Sequence, residues 1–257
     1  MSTFAYETFH LGLRTTRRFL RVPANWMSII FFPLIQLLIF SQLYQDVVQL
    51  PNFGGDSDDY LDYLAPGQVA FAAFLAVAWS AYGLLVEYRN GYMDKLRAAP
   101  IRRWSILAGE MVPLFFQAAA MAGVVLIASL LLGAPLETGV GGFLLILGLA
   151  GVFGLAFAGA SFIPALLTKS EQATNAFSLL LFPIIFASTA FVPEALMPGW
   201  MQTVNEVNPI TFLIEAIRDL MVTGYDWGAI GSALLSLAIL GAILQLATLW
   251  AFHRLAR

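Results

Sequence analysis

Residues 180–221, LLFPIIFASTAFVPEALMPGWMQTVNEVNPITFLIEAIRDLM, behave unlike any other apolar stretch of the chain. The run starts as a membrane-spanning helix and cannot complete one. Pro193, Pro198 and Pro209 interrupt it, and a proline inside a helix removes a backbone hydrogen bond and clashes with the preceding turn. Asn208 ahead of Pro209 reads as an N-cap with proline at the first helical position. Ile210, Leu213, Ile214, Ile217, Leu220 and Met221 then recur at helical spacing. Between Phe191 and Trp227 the uninterrupted apolar length is too short for two crossings of a hydrocarbon core that needs about 20 residues each. The expected geometry is a re-entrant helical hairpin over residues 193–222. Broken backbone at membrane depth is tolerated only where protein or a water-filled cavity covers it, so the hairpin is expected inside an assembly or along a passage, which points to transport.

Composition bounds the rest. Of 257 residues, 60% are hydrophobic and only 11% charged, with a mean hydropathy of +0.79, whereas soluble domains carry about one charged residue in four. The chain reads as one all-α integral membrane domain over 1–257. Its apolar spans fall near 26–45, 67–86, 108–132, 140–168, 173–192 and 227–252, six transmembrane helices that leave no room for a nucleotide-binding domain. There is no cysteine, hence no disulfide or thiolate–metal site.

Charge sorts sharply. Twelve of the 13 Lys and Arg residues lie before the first span, between spans two and three, between spans four and five, or at the end; Arg218 alone falls on the other side, among eleven Asp and Glu residues. Under the positive-inside rule both termini are expected in the cytoplasm, with no cleavable leader ahead of the full-length span that begins at Trp26. Residues 3–22 pattern as an amphipathic helix with Glu7, His10, Arg14, Arg17, Arg18 and Arg21 on one side and Ala5, Tyr6, Phe9, Leu13, Phe19 and Leu20 opposite, the signature of a helix lying in the membrane interface before Pro23 ends it. Glu87, at the boundary of span two, needs a cationic partner at the same depth, and Arg17 or Arg18 is expected to supply it. The acidic loop with Asp56, Asp58, Asp59 and Asp62 lacks the full ligand pattern of a calcium loop and reads as a solvated outer face. Gly148, Gly151, Gly154 and Gly159 form a small-residue face for close helix packing.

Several chemistries are missing. The chain has no GxxxxGK[ST] phosphate loop, no HExxH and no GxSxG, so neither ATP hydrolysis nor the standard zinc-protease or serine-hydrolase chemistry is expected of it. Ionisable residues cluster near span ends and loops, unlike a proton-coupled transporter, which keeps them inside the membrane.

Taken together, FPIIF (182–186), FVPEALMPGW (191–200) and NPITFLIEAIR (208–218) resemble the C-terminal signature of type-2 ABC exporter permeases, in the drug-resistance, daunorubicin-exporter-like branch. The loop EYRNGYMDKLRAAPIRRWSILAGE (87–110) resembles the segment of that family that carries the coupling helix, here 91–100. The resemblance implies a bacterial cell-membrane exporter built from two permease chains and two separate ATPase subunits, with ATP and magnesium bound in the partner and no cofactor in this chain. It makes residues 3–22 the elbow helix. It has Tyr92, Met93, Leu96 and Arg97 dock the ATPase, and makes spans two and five the lining of the central route, with Phe71, Phe74, Trp79, Phe177, Phe182 and Phe186 as candidate cavity residues. The substrate expected is drug-like, amphiphilic or lipid-like, with export of a lipid-linked glycan or polysaccharide as the alternative; nucleic acid is not an expected partner.

Overall fold

In the computed structural model, residues 3–21, 23–49, 53, 59–78, 80–91 and 103–255 are described. They form α1 (Thr3–Leu20), α2 (Pro23–Leu43), α3 (Tyr60–Ala78), α4 (Tyr82–Arg89), α5 (Arg103–Leu131), α6 (Gly139–Phe157), α7 (Gly159–Thr168), α8 (Glu171–Leu180), α9 (Phe182–Phe186), α10 (Gly199–Glu206), α11 (Pro209–Arg218) and α12 (Trp227–Leu255), with no strand among the described residues. Four stretches are long and apolar enough to cross a membrane: Tyr60–Arg89, Trp104–Leu131, Gly139–Thr168 and Trp227–Arg254. Such lengths of 28 to 30 residues exceed the roughly 20 needed for the hydrocarbon core.

The bundle is organised around α3. Apart from Asp62, every residue from Tyr60 to Ala78 is buried, because the helix is apolar or small on all sides and is enclosed by α2, α5, α6 and α11. At the other extreme, α12 turns Leu234, Leu235, Ile239, Ile243, Leu246 and Trp250 outward, and α2 does the same with Phe31, Phe32, Leu38 and Ile39. Contiguous exposed apolar faces of this size on long helices are what a lipid environment accommodates and water does not.

Glycine sets the closest approaches. A Cβ at Gly154 would meet Ala118 Cβ at 2.5 Å and the Leu114 carbonyl oxygen at 2.8 Å, and one at Gly159 would meet Thr248 Oγ1 at 2.6 Å and the Leu244 carbonyl oxygen at 2.7 Å. These contacts let α6 lie on α5 and α7 on α12, as small-residue faces do in membranes. Gly148, grouped with them in the sequence, faces open space.

Two expectations about the spans change. The second span was placed at 67–86, yet its helix begins at Tyr60, because the Asp59 carboxylate accepts from the Leu61 amide at 3.0 Å and starts the helix within the acidic loop. The fifth span, placed at 173–192, is not one helix: α8 stops at Leu180, α9 covers only five residues, and turns follow from Ala187. The cause is Pro183, at the start of α9, whose ring nitrogen cannot donate. The chain is therefore broken ten residues before Pro193.

Candidate functional site

The broken segment is the part of the fold whose backbone most needs explaining. Its freed groups are satisfied by side chains. Asn208 accepts from the Ile210 amide at 3.0 Å, the N-cap bond of α11, while its amide nitrogen donates to the carbonyls of Ile184 at 2.7 Å and Ala187 at 3.3 Å. One buried side chain thus closes the end of α9 and opens α11. Next to it, Tyr60 and Tyr63 on α3 donate to the carbonyls of Phe191 at 2.8 Å and Thr189 at 2.9 Å. Asn205 donates to the Glu194 carboxylate at 3.0 Å and accepts from Thr211 at 2.6 Å, and Gln202 donates to the carbonyls of Glu194 and Met197. At the far end of α11 the chain passes through a π turn, Asp219–Thr223, where Thr138 donates to the Leu220 carbonyl at 2.6 Å. The irregular backbone is thus tied to the rest of the protein by side chains.

Arg218 lies at the centre of this region. It donates to Glu215 at 2.6 Å and to the Thr189 carbonyl at 2.8 Å, and its guanidinium lies 4.1 Å from the centre of the Tyr63 ring. Glu215 in turn accepts from the Thr189 hydroxyl. Arg218 is thus a clamp joining α11 and the break to α3. Gly67 completes it, since a Cβ there would overlap the Ala190 carbonyl.

At the opposite end of α3 lies a second polar junction. Glu87 on α4 is buried, 5% exposed, and receives Arg14 and Arg18 of α1. Arg18 also reaches Glu110 of α5 at 3.3 Å, and Glu110, 6% exposed, accepts from Thr15 at 2.8 Å. The two arginines are one-third exposed, so water weakens their attraction while the carboxylates feel the burial. Arg18 therefore meets Glu87, whereas Arg17 is exposed and makes no ion pair among the described residues; Arg14, one turn before Arg18, takes the second position. The sequence reading passed over Arg14 and Glu110 as partners, although Glu110 stands alone among apolar residues of α5, which is a signal of a paired charge. The other side of α4 is tied as well: Arg89 pairs with Glu171 of α8 at 2.8 Å, and the Lys169 ammonium lies 5.1 Å from the Tyr88 ring centre.

Between α3 and α4 the helix breaks after Ala78. The Ala78 carbonyl accepts from Ser178 of α8 at 2.6 Å, and Ser80 shares a hydrogen bond with Ser161 of α7 at 2.9 Å. Spans two and five are joined here.

The candidate cavity residues divide. Phe71 and Phe74 are fully buried, ringed by Phe32, Phe157, Phe182 and Phe191, with ring centres 5.4–6.3 Å apart, so within one chain they are core. Phe182 is half-buried, whereas Phe177 and Phe186 are 41% and 48% exposed. Trp79 and the docking residues Tyr92, Met93, Leu96 and Arg97 lie outside the described residues. No cluster of His, Asp and Glu that could hold a metal ion occurs among the described residues.

Comparison with known proteins bears on what this arrangement is for. A profile of the ABC-2 type transporter family matches residues 6–222. The chain is 27% identical over 212 residues to a daunorubicin resistance ABC transporter permease protein, DrrB1, of Streptomyces coeruleorubidus, covering 81% of this chain and 72% of that one. It is 30% identical over 221 residues to a putative transport permease, ycf38, of Cyanophora paradoxa, covering 84% and 74%. Similarity to a probable multidrug ABC transporter permease, YbhR, of Escherichia coli strain K12 is 23% over 205 residues, covering 79% and 55%.

Proposed function

Since the chain belongs to the ABC-2 type transporter family, we propose that this multi-pass membrane permease works as the membrane half of an ATP-driven exporter of drug-like or amphiphilic substrates. Two copies of the chain, or this chain and a related one, would enclose the route, and two separate ATPase subunits would drive it. In this reading the four long helical stretches are joined by α2 and by the α8–α9 pair to make six spans. α1 is the elbow helix at the cytoplasmic face of a bacterial cell membrane, and residues 193–222 form the re-entrant hairpin at the outer face.

The observation that carries the proposal is the pair of polar junctions at the two ends of α3. The inner one, through Glu87, Arg18, Arg89 and Glu171, ties α1 and α8 to the segment that leads into residues 91–100. The outer one, through Tyr63, Arg218 and Thr189, ties the hairpin to the same helix. In this reading a displacement delivered at the loop enters α4, passes to α3 across the break that α7 and α8 brace, and reaches the far side along α3. Catalysis is absent from this account: the chain moves substrate, and ATP and magnesium are bound by the partner.

The experiment is copurification of the chain with its ATPase and measurement of ATP hydrolysis in lipid with hydrophobic drugs and with lipid-linked glycans as stimulants. Stimulation by drugs supports the reading, and stimulation by glycans alone replaces the substrate class. In the same preparation, Met93→Asp and Leu96→Asp are expected to leave a folded permease that no longer retains the ATPase or couples its hydrolysis to export. Full export by both variants would remove residues 91–100 from the docking role.

A further inference from the structure

The four arginines of α1 are not equivalent. Arg14 and Arg18 are drawn inward to Glu87 and Glu110, and the helix's own acid, Glu7, accepts from Ser105 of α5 at 2.6 Å. Arg17 and Arg21 are exposed and have no carboxylate partner among the described residues. At 3.6 residues per turn, Phe9, Leu13, Tyr6, Arg17, His10 and Arg21 follow one another around a sector of about 120°, which adjoins the sector of Arg14 and Arg18. Tyr6 and Phe9 are each 59% exposed, and the His10 ring rests between them, 4.3 Å and 5.6 Å from their centres. The outward face is therefore an apolar stripe edged by two unneutralised guanidinium groups.

Two further features fix the depth of this face. Beside Ser105, Trp104 is 45% exposed and its ring lies 5.2 Å from that of His253, while the Arg254 guanidinium covers the half-exposed Trp250 at 4.3 Å. Exposed tryptophans near helix ends, one of them under the Arg254 guanidinium, mark the level of a membrane–water boundary. The outward apolar face of α2, with Met27, Phe31 and Phe32, follows α1 within a few residues.

We propose that this face of α1 binds anionic phospholipid, with Arg17 and Arg21 on the headgroup phosphates and Tyr6, Phe9 and Leu13 at the acyl boundary. Charge complementarity selects the occupant. Two cations unmatched by any acid among the described residues, alongside exposed aromatic rings, suit an anionic headgroup better than a zwitterionic one, which brings its own cation to the phosphate. The division of labour follows from register, since Arg14 and Arg18 lie in the sector next to Glu87 and Glu110 while Arg17 and Arg21 lie in the adjoining exposed sector. This inference does not depend on what the permease exports.

The test is titration of the delipidated, full-length chain with a fluorescent short-chain phosphatidylglycerol and with the matching phosphatidylcholine, alongside thermal unfolding of each variant to verify folding. Wild-type protein is expected to prefer phosphatidylglycerol, the preference shrinking as salt rises. Arg17→Gln and Arg21→Gln should each reduce it about fivefold, while the lysine substitutions at the same positions retain most of it. Equal binding of the two lipids by wild-type protein would overturn the proposal, as would an unchanged preference in the doubly substituted chain. If that chain kept its lipid preference but lost a copurifying ATPase, the face would belong to a protein partner and the proposal would also fall.

Discussion

Asn208→Ala tests whether one side chain holds the broken segment together. Asn208 is 4% exposed and makes three bonds: it caps α11 through Ile210, and it supplies the donor for the carbonyls of Ile184 and Ala187. Loss of an N-cap costs about 1 kcal/mol. Leaving a buried carbonyl without its donor costs about 1 to 3 kcal/mol, and the 3.3 Å bond to Ala187 contributes at the low end. The sum is about 2 to 4 kcal/mol. At roughly 2 to 4 °C per kcal/mol for a chain of this size, the midpoint of thermal unfolding in detergent or lipid should fall by about 5 to 15 °C. Asn208→Asp separates the two roles. Aspartate is as good a cap as asparagine, but it has no N–H to donate and turns a charged oxygen towards two carbonyls. It is expected to be at least as destabilising as alanine. An Asn208→Asp variant that melted with the wild-type protein would mean that Asn208 is only a cap, and the account of how α9 is joined to α11 would be wrong.

At the inner junction, Arg18→Gln should destabilise the protein by about 1 to 3 kcal/mol, because it leaves Glu87 and Glu110 short of a cation, whereas Arg17→Gln should stay within about 0.5 kcal/mol. A double-mutant cycle between Arg18→Gln and Glu87→Gln that gave no coupling energy would reject the pairing. Gly67→Ala should lower stability by about 1 to 3 kcal/mol despite the better helix propensity of alanine, since the Ala190 backbone cannot move aside. Gly231→Ala, which meets open space within α12, should raise stability by up to about 1 kcal/mol; equal shifts in the two melting curves would show that the close approach at Gly67 is not real. For topology, cysteines placed at Ser57 and Thr203 should react with an impermeant reagent added outside whole cells, and one at Ala98 should not. Labelling at Ala98 alone would reverse the orientation.

The sequence alone determined the class of protein, its all-helical character and the start of α11 at Asn208–Pro209. Apolar length, sorted basic residues and proline position are local properties that need no tertiary information, which is why the Asn208–Pro209 helix start was legible. The amphipathic face of α1 was legible for the same reason, and so was the need of Glu87 for a cation. Partner choice was not legible. Arg17 and Arg18 are neighbours in sequence and equally basic, and only the rotation of α1 against α4 and α5 turned Arg14 and Arg18 inward. Nor could aromatic spacing separate the enclosed Phe71 and Phe74 from the exposed Phe177 and Phe186, because burial depends on which helices surround a span. Pro183 marks the break between α8 and α9 in the sequence, but the end of α9 at Phe186 was a tertiary matter. A proline near a helix start is compatible with continuation, and the helix stops where Asn208, over twenty residues away in sequence, takes the carbonyls that a further turn would have used.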